Sequence, residues 1–284
     1  MLFLVLSILC SVTVGVLFKF SRKYGVSNTQ IVASNYLFAL VLCYLFFSPE
    51  LNAVGTSAPW GIYIAISVLL PSIFLFLAAS IKHMGIVKTD AAQRLSLFIP
   101  ILAAWILFKE DFNMLKVAAL VVGFPALVLI FAKPTQNTEN KWIYPAAVLL
   151  GFGVIDILFK QIALYSSLPY TTSLFVVFGI ALLIMIVVVI YEGTINKVSL
   201  NIRNILFGGL VGIFNFGNIL FYLKAHQAIV KNPSTVFAGM NMGVIIIGSL
   251  VGILMFKEKL TKMNFAGLFL ALISIILIVI SQTN

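Results

Sequence analysis

Long apolar segments separated by short polar turns make up almost the whole chain. A helix needs roughly 20 apolar residues to cross a hydrocarbon core about 30 Å thick. Ten segments of that kind can be marked in the sequence, at about 2–20, 29–47, 59–81, 88–108, 114–132, 142–164, 170–191, 203–224, 234–256 and 263–281. The pattern therefore predicts an all-α polytopic membrane protein with ten transmembrane helices.

The ten segments divide into two similar halves. Phe108-Lys109-Glu110 closes the fourth segment and recurs as Phe256-Lys257-Glu258 at the end of the ninth. Leu17-Phe18-Lys19 likewise recurs as Leu158-Phe159-Lys160. Because five segments are an odd number, the second half enters the membrane from the opposite side, and the repeats are inverted. The predicted organisation is a first five-helix repeat, a polar linker and a second five-helix repeat, at 1–132, 133–141 and 142–284.

Composition agrees with membrane insertion. Hydrophobic residues occupy 62% of the 284 positions and charged residues 9%, which is too little polar side chain to cover a water-soluble globule. The net charge of +10 comes from Lys and Arg scattered over the turns, which indicates lipid headgroups and not nucleic acid. The predicted partners are a small-molecule substrate and membrane lipids, in a monomer or homodimer.

Signatures of catalysis do not occur in this sequence. It has no Gly-rich phosphate loop ending in Lys-Ser or Lys-Thr, and His83 and His226 have no acidic or cysteine neighbours. No enzyme activity, metal or cofactor is therefore predicted. Two alternatives remain: a membrane-embedded enzyme acting on a lipid-linked substrate, which requires reactive residues clustered at one interface, and a scaffold whose intramembrane polar residues are dispensable.

Several local features resemble a known transporter family. Small residues follow both Lys-Glu turns, at Ala118-Ala119 and Ala266-Gly267, and the third and eighth segments end in small and aromatic residues, at 76–80 and 221–225. With ten segments in two halves, the chain resembles the drug/metabolite transporter superfamily, in particular its EamA-type members. The resemblance implies secondary-active transport by alternating access, through a central pathway lined mainly by segments one, three, four, six, eight and nine. Many relatives have an arginine where this chain has Asn35-Tyr36.

The orientation of the chain is left open. More Lys and Arg residues fall on the side opposite the termini than on the terminal side, so the positive-inside rule puts both termini outside. The family resemblance implies cytoplasmic termini. The sequence has no Asn-x-Ser/Thr site and no long hydrophilic tail, which favours a prokaryotic plasma membrane.

Ionisable groups inside the predicted pathway are candidates for function, because charges are costly to bury in lipid. Asp156 lies deep in the sixth segment, and Lys160 follows one helical turn later on the same face. The first half has Gly15 and Lys19 at the matching positions. We expect Asp156, Lys160 and Lys19 to couple transport to protons or to exchange, and a merely structural Asp156–Lys160 pair is the alternative.

Amide and phenol side chains in the same pathway are expected to bind substrate. Gln93 in the fourth segment matches Asn241 in the ninth. In the eighth segment Asn215, Asn218 and Tyr222 form one polar stripe on an otherwise apolar helix. Hydrogen bonding between helices is the alternative role of such residues.

Arg94 is the expected partner of an anionic substrate group, since its guanidinium can hold a carboxylate with two parallel hydrogen bonds. Alternatively it extends toward the membrane interface, because Asp90 and Lys88 precede it closely. The cationic groups favour an anionic or zwitterionic metabolite, amino-acid-like or sugar-like.

Glycine and proline positions predict close helix contacts and kinks. Paired glycines four residues apart allow two helices to approach each other, at Gly208 and Gly212, Gly239 and Gly243, and Gly248 and Gly252. Prolines remove a backbone hydrogen bond and favour a bend in the third, fourth and fifth segments, at Pro71, Pro100 and Pro125.

Overall fold

The helices account for nearly all of the described chain. A computed structural model describes residues 2–21, 24–56, 58–106, 113–131, 141–165, 168–228 and 233–283. Apart from one 3-10 turn at Leu51–Ala53, the regular elements in these ranges are α1 (Leu2–Ser21), α2 (Asn28–Phe47), α3 (Trp60–Met84), α4 (Ile86–Leu95), α5 (Phe98–Ile106), α6 (Met114–Phe131), α7 (Ile143–Tyr165), α8 (Tyr170–Ile195), α9 (Ile202–Ala228), α10 (Pro233–Leu254) and α11 (Lys262–Thr283). The linker at 133–141 and the Lys109-Glu110 turn lie outside the described residues, except for Lys141.

Each predicted segment coincides with one helix, except the fourth, which is divided into α4 and α5. Pro100 has no N–H to offer the Ser96 carbonyl group four residues before it. The Ile99 N–H bonds that carbonyl oxygen instead, at 3.0 Å. The helix therefore breaks near the predicted proline, whereas Pro71 and Pro125 lie inside continuous helices.

The outer surface of the helices is apolar. Counted over the described residues alone, six helices are long and apolar enough to cross a membrane: α1, α2, α3, α8, α9 and α11. On α6, large apolar side chains that are 39% to 71% exposed recur every three or four residues, at Val117, Val121, Phe124 and Val128. Such a surface suits lipid and not water, and the protein is membrane-embedded. That all ten segments cross the membrane as inverted repeats stays a prediction.

The most extensive helix contacts join the first predicted half to the second. They pair α6 with α11, α2 with α9, α1 with α9, α3 with α7, and α2 with α8. The contact pattern is largely preserved when each helix of one half is exchanged for the helix at the same position in the other half. For example, the contact of α1 with α9 becomes that of α7 with α3, and α4 with α10 maps onto itself.

Three apolar cores each draw on both halves, and the smallest of them packs α1 against α9 and α10. The larger core is built mainly from α1, α2, α3, α7, α8 and α9, with Tyr36 contacting the rings of Phe74 and Phe178 at its centre. The second joins α4, α5, α6, α10 and α11. The two predicted repeats are therefore interleaved in space, and the polar helix α4 contributes apolar side chains to both of the larger cores.

The paired glycines make the close contacts that their spacing predicts. A Cβ atom at Gly212 of α9 would lie 2.7 Å from the Asn35 carbonyl oxygen of α2. Gly243 of α10 faces Ile8 of α1, and Gly248 faces the Asp90 carboxylate of α4. The packing role of these glycines is confirmed, and at Gly248 it makes room for a charged group.

Gly212→Ala is expected to lower the free energy of unfolding by about 1–3 kcal/mol, the usual range for overpacking. The added methyl group would meet backbone of α2, which cannot rotate aside. Gly179→Ala is the matched control, because its methyl group would meet only Leu40 Cδ1, at 3.9 Å. Alanine favours a helix over glycine, so the control should be neutral or stabilising. Equal denaturant stability of the two variants in one detergent would contradict the close contact of α2 with α9.

Candidate functional site: a polar cavity around helix α4

Helix α4 is a short polar helix enclosed by the bundle. Gly85 alone separates it from α3, with φ at +88°, a conformation that residues with a Cβ rarely adopt. Although α4 carries Lys88, Asp90 and Arg94, eight of its ten residues are buried. The glycine therefore turns the chain sharply, so that a charged helix begins directly after the apolar α3.

The carboxylate of Glu258 closes the N-terminus of α4. Its Oε1 accepts a hydrogen bond from the Ile86 N–H at 2.7 Å, and its Oε2 accepts one from the Val87 N–H at 3.2 Å. Lys19 Nζ lies 3.1 Å from Oε1 and donates to the Ile81 carbonyl oxygen at 3.4 Å. A carboxylate is favourable here because the first N–H groups of a helix have no partner within the helix. The repeated Phe-Lys-Glu motif thus joins the second half to α1 and α4.

A cavity lies where α4 and α10 face the larger core. It has two adjoining parts, of about 250 and 430 Å³. Both parts are lined by the same six residues, Gln93, Phe152, Asp156, Tyr170, Asn218 and Ile219. Around the smaller part stand aromatic side chains of α2, α3, α7 and α8. The lining thus includes α2 and α8 in addition to the helices that the family resemblance implies.

The structure brings together most of the residues that the sequence selects. All six expected substrate-binding residues and one coupling residue line the cavity: Gln93, Arg94, Asn215, Asn218, Tyr222, Asn241 and Asp156. Lys19 does not line it and lies in the ion pair with Glu258. The side chain of Lys160 lies outside the described part of the chain, so its pairing with Asp156 stays a prediction.

Arg94 faces the cavity and does not extend away from it. Its Nη2 donates a hydrogen bond to Ser11 Oγ of α1 at 2.7 Å. Although all three residues are described, neither Asp90 nor Asp156 approaches Arg94 within the 4.0 Å of an ion pair. One guanidinium and two carboxylates therefore border the same space without direct pairing.

Asp90 is the main residue that the sequence interpretation missed. Its side chain is 6% exposed and lines the smaller part of the cavity. Asp156 is therefore not the sole carboxylate at this cavity. In the sequence Asp90 falls near the start of the fourth segment, where it looked interfacial. Its spacing of four from Arg94 was the available signal, since it puts both side chains on one helix face.

The buried polar atoms without a hydrogen-bond partner gather at this cavity. Within the described ranges they are Asn35 Nδ2, Tyr36 OH, Asp90 Oδ2 and Arg94 Nε. Three of these residues line the cavity, and Asn35 Oδ1 accepts a hydrogen bond from Asn215, which does too. Leaving a buried polar atom unpaired costs about 1–3 kcal/mol, so the clustering sets this region apart from the rest of the described bundle.

Two of the predicted amides serve helix contacts and the cavity together. Asn215 Nδ2 of α9 donates to Asn35 Oδ1 of α2 at 3.2 Å. Ser7 Oγ of α1 donates to Asn218 Oδ1 at 2.8 Å. The two roles considered for these amides are therefore compatible. Among the described residues, no group of three His, Cys, Asp or Glu side chains is placed to hold a metal ion.

These features define an all-helical, membrane-embedded protein with a charged cavity between its helices. No protein-family model matches the chain. The chain is 38% identical over 282 residues to a protein of Haemophilus influenzae described as an uncharacterized protein, across 96% of this chain and 95% of that one. It belongs to the same family as that protein. Its fold is similar to a crystal structure described only as that of a protein, with a TM-score of 0.61 and 13% identity, covering 98% of this chain and 95% of the other.

Lys19→Met and Glu258→Gln are each expected to lower the free energy of unfolding, and the double variant by less than their sum. Directly contacting residues usually show coupling energies of about 0.5–3 kcal/mol. Glu258→Gln should have the larger single effect, because it also weakens two charge-assisted bonds to α4. Denaturant unfolding of the four proteins measures the coupling, with Glu50→Gln as an exposed control. Strict additivity would contradict the ion pair.

Proposed function

We propose that this protein is a secondary-active transporter of a small zwitterionic or anionic metabolite, working by alternating access in a prokaryotic plasma membrane. We further propose that its ten segments span the membrane as two inverted repeats, in the manner of EamA-type transporters of the drug/metabolite transporter superfamily. The observation that carries the proposal is the cavity between the helices, in which Arg94, Asp90 and Asp156 border one space without forming ion pairs. Charges inside a membrane protein are costly unless a function retains them.

The pattern of helix contacts supports a two-fold relation between the halves. The pairs α2 with α8, α4 with α10 and α6 with α11 lie where such an axis would pass, since each maps onto itself when the halves exchange. Several other contacts occur in exchanged pairs, such as α1 with α10 and α7 with α4. Because each half has five segments, a two-fold relation between them is compatible with an inverted repeat.

The division of the fourth segment also supports transport. Discontinuous helices in transporters place backbone and polar groups at a central binding site, where neighbouring protein or water satisfies them. Here the break between α4 and α5 follows directly after Gln93 and Arg94, and Ser96 at the break lines the cavity. A structural scaffold would have no need of a charged helix in this position.

The arrangement of charges favours a zwitterionic substrate over a simple anion. Arg94 can bind a carboxylate through its guanidinium, while Asp156, exposed to the cavity, can bind an ammonium group. Aromatic side chains around the smaller part suit an apolar body, including Phe74, Phe152, Phe159 and Phe178. An amino-acid-like compound satisfies all three conditions, and a sugar-like compound leaves the charges unmatched.

The two larger apolar cores suggest which groups of helices move against each other during transport. The cavity lies between the larger core and the group formed by α4, α5, α6, α10 and α11. Movement of these groups against each other would open the cavity to one side and then to the other, in exchange or coupled to an ion. The ion pair of Lys19 with Glu258 links α1 of the larger core to the end of α10, and the packing of α1 and α9 against α10 crosses the same boundary in this conformation.

Zwitterionic amino acids are expected to stabilise the purified protein in a thermal-shift screen that also contains organic anions, cations and neutral sugars. A ligand at 100 times its Kd adds about 2.7 kcal/mol of stability. Asp156→Asn and Arg94→Met should remove the stabilisation and the uptake of the same compound into proteoliposomes. Glu192→Gln is the matched control, because Glu192 bonds Thr29 and does not line the cavity. Binding confined to sugars or cations would overturn the substrate class, and unimpaired uptake by both cavity variants would overturn the site.

A further inference from the structure

We propose that Asp90 binds the proton that drives transport, and that Asp156 is left to bind the substrate. This inference rests on the proposed function and deepens it by naming the coupling ion and the residue that carries it. It moves the coupling role from Asp156, which the sequence alone favoured, to a residue of the enclosed helix α4.

The carboxylate of Asp90 is closed off on the side of α10. Its Oδ2 is fully enclosed and has no hydrogen-bond partner. A Cβ atom at Gly248 would overlap Oδ2, and one at Gly15 of α1 would lie 3.9 Å from Oδ1. An ionised carboxylate without donors is very unfavourable in such a place, whereas a protonated one is neutral and far less costly to enclose.

The size of this site selects the ion. A metal cation needs several oxygen ligands around it, and no described group hydrogen-bonds Asp90 Oδ2. Gly248 of α10 covers Oδ2, so a substrate ammonium group in the cavity does not reach that oxygen atom. Asp156 differs, because its side chain is exposed to the cavity and borders both parts of it. The proton is therefore the cation that fits Asp90, and the substrate fits Asp156.

The charged groups around α4 are few. On α4 itself they are Lys88 and Arg94, and at its N-terminus Glu258 and Lys19 form an ion pair. The helices packed against α4 carry Asp156 of α7, Lys82 and His83 in the last turn of α3, Lys116 of α6 and Lys262 of α11, and none on α10 within its described range. Helix α7 also carries Lys160, whose side chain lies outside the described residues. Among the described side chains that line the cavity, Arg94 is the one cation.

Arg94 links the proton to the substrate. When Asp90 is ionised, its negative charge attracts the guanidinium one helical turn away and competes with the substrate for it. A proton that binds Asp90 while the cavity is open to one side of the membrane removes this competition. The substrate carboxylate can then accept hydrogen bonds from two N–H groups of Arg94. On the other side the substrate leaves and the proton passes to water. One proton enters and one leaves per cycle, so proton and substrate travel together.

Infrared spectroscopy of the full-length protein in lipid vesicles tests this assignment without any substrate. A protonated carboxyl group has a C=O stretching band that disappears when the group ionises and shifts in deuterium oxide. We expect the wild type and Asp156→Asn to show an enclosed carboxyl band that is lost at high pH, and Asp90→Asn to lack it. Loss of the band in Asp156→Asn alone, or no such band in the wild type, would overturn the proposal.

Two glycine variants keep the test decisive if Asp90→Asn does not fold. Gly248→Ala retains the carboxylate but presses a methyl group against it, so the frequency of the band should shift. Gly243→Ala lies on the same helix against Ile8 and should leave the band unchanged. A band that is unmoved in both overturns the assignment. The proposed function fails separately if the thermal-shift screen and the uptake assay find no compound that is bound or transported, while the Asp90 band still disappears at high pH.

Discussion

The enclosure of the polar helix α4 is the constraint on which the rest of the structure depends. Inside a membrane no water is at hand for unpaired backbone groups, so the protein itself must satisfy them. At the start of α4 the partner is a carboxylate from far along the chain, Glu258, whose two oxygens bond the N–H groups of Ile86 and Val87. Because Glu258 also holds Lys19, the same interaction fixes α1 and the end of α10.

Several features of the neighbouring helices follow from that enclosure. Gly85 provides the turn into α4. Gly248 and Gly252 have no side chains, so α10 packs closely against α4 and still leaves space for the carboxylates of Asp90 and Glu258. At the other end, the helix breaks shortly before Pro100, and α5 begins at Phe98. With α4 held at this depth, Arg94 and Asp90 necessarily face the interior, and the surrounding helices form the walls of a charged cavity.

The polar side chains of the cavity include both hydrogen-bonded asparagines and charged groups without an ion-pair partner. Asn215 and Asn218 bond across helices, which fixes their positions, whereas the described hydrogen-bond partner of Arg94 is a neutral serine. A charge that is held in place and not neutralised by its neighbours can interact with a ligand at little reorganisation. The site therefore combines rigid polar walls with open charges, as the binding of a small charged molecule requires.

The sequence by itself determined the helices, and it selected many of the polar residues that line the cavity, because a polar side chain inside a membrane-length apolar run stands out wherever the run folds. Asp156 and the asparagines of α9 were found in that way. Only the tertiary structure decided the role of Lys19, which pairs with Glu258 239 positions away, and the enclosure of Asp90. Local hydropathy places Asp90 near a membrane surface. Its burial depends on contacts with α1 and α10, and contacts between residues so far apart in the chain leave no periodic mark in the sequence.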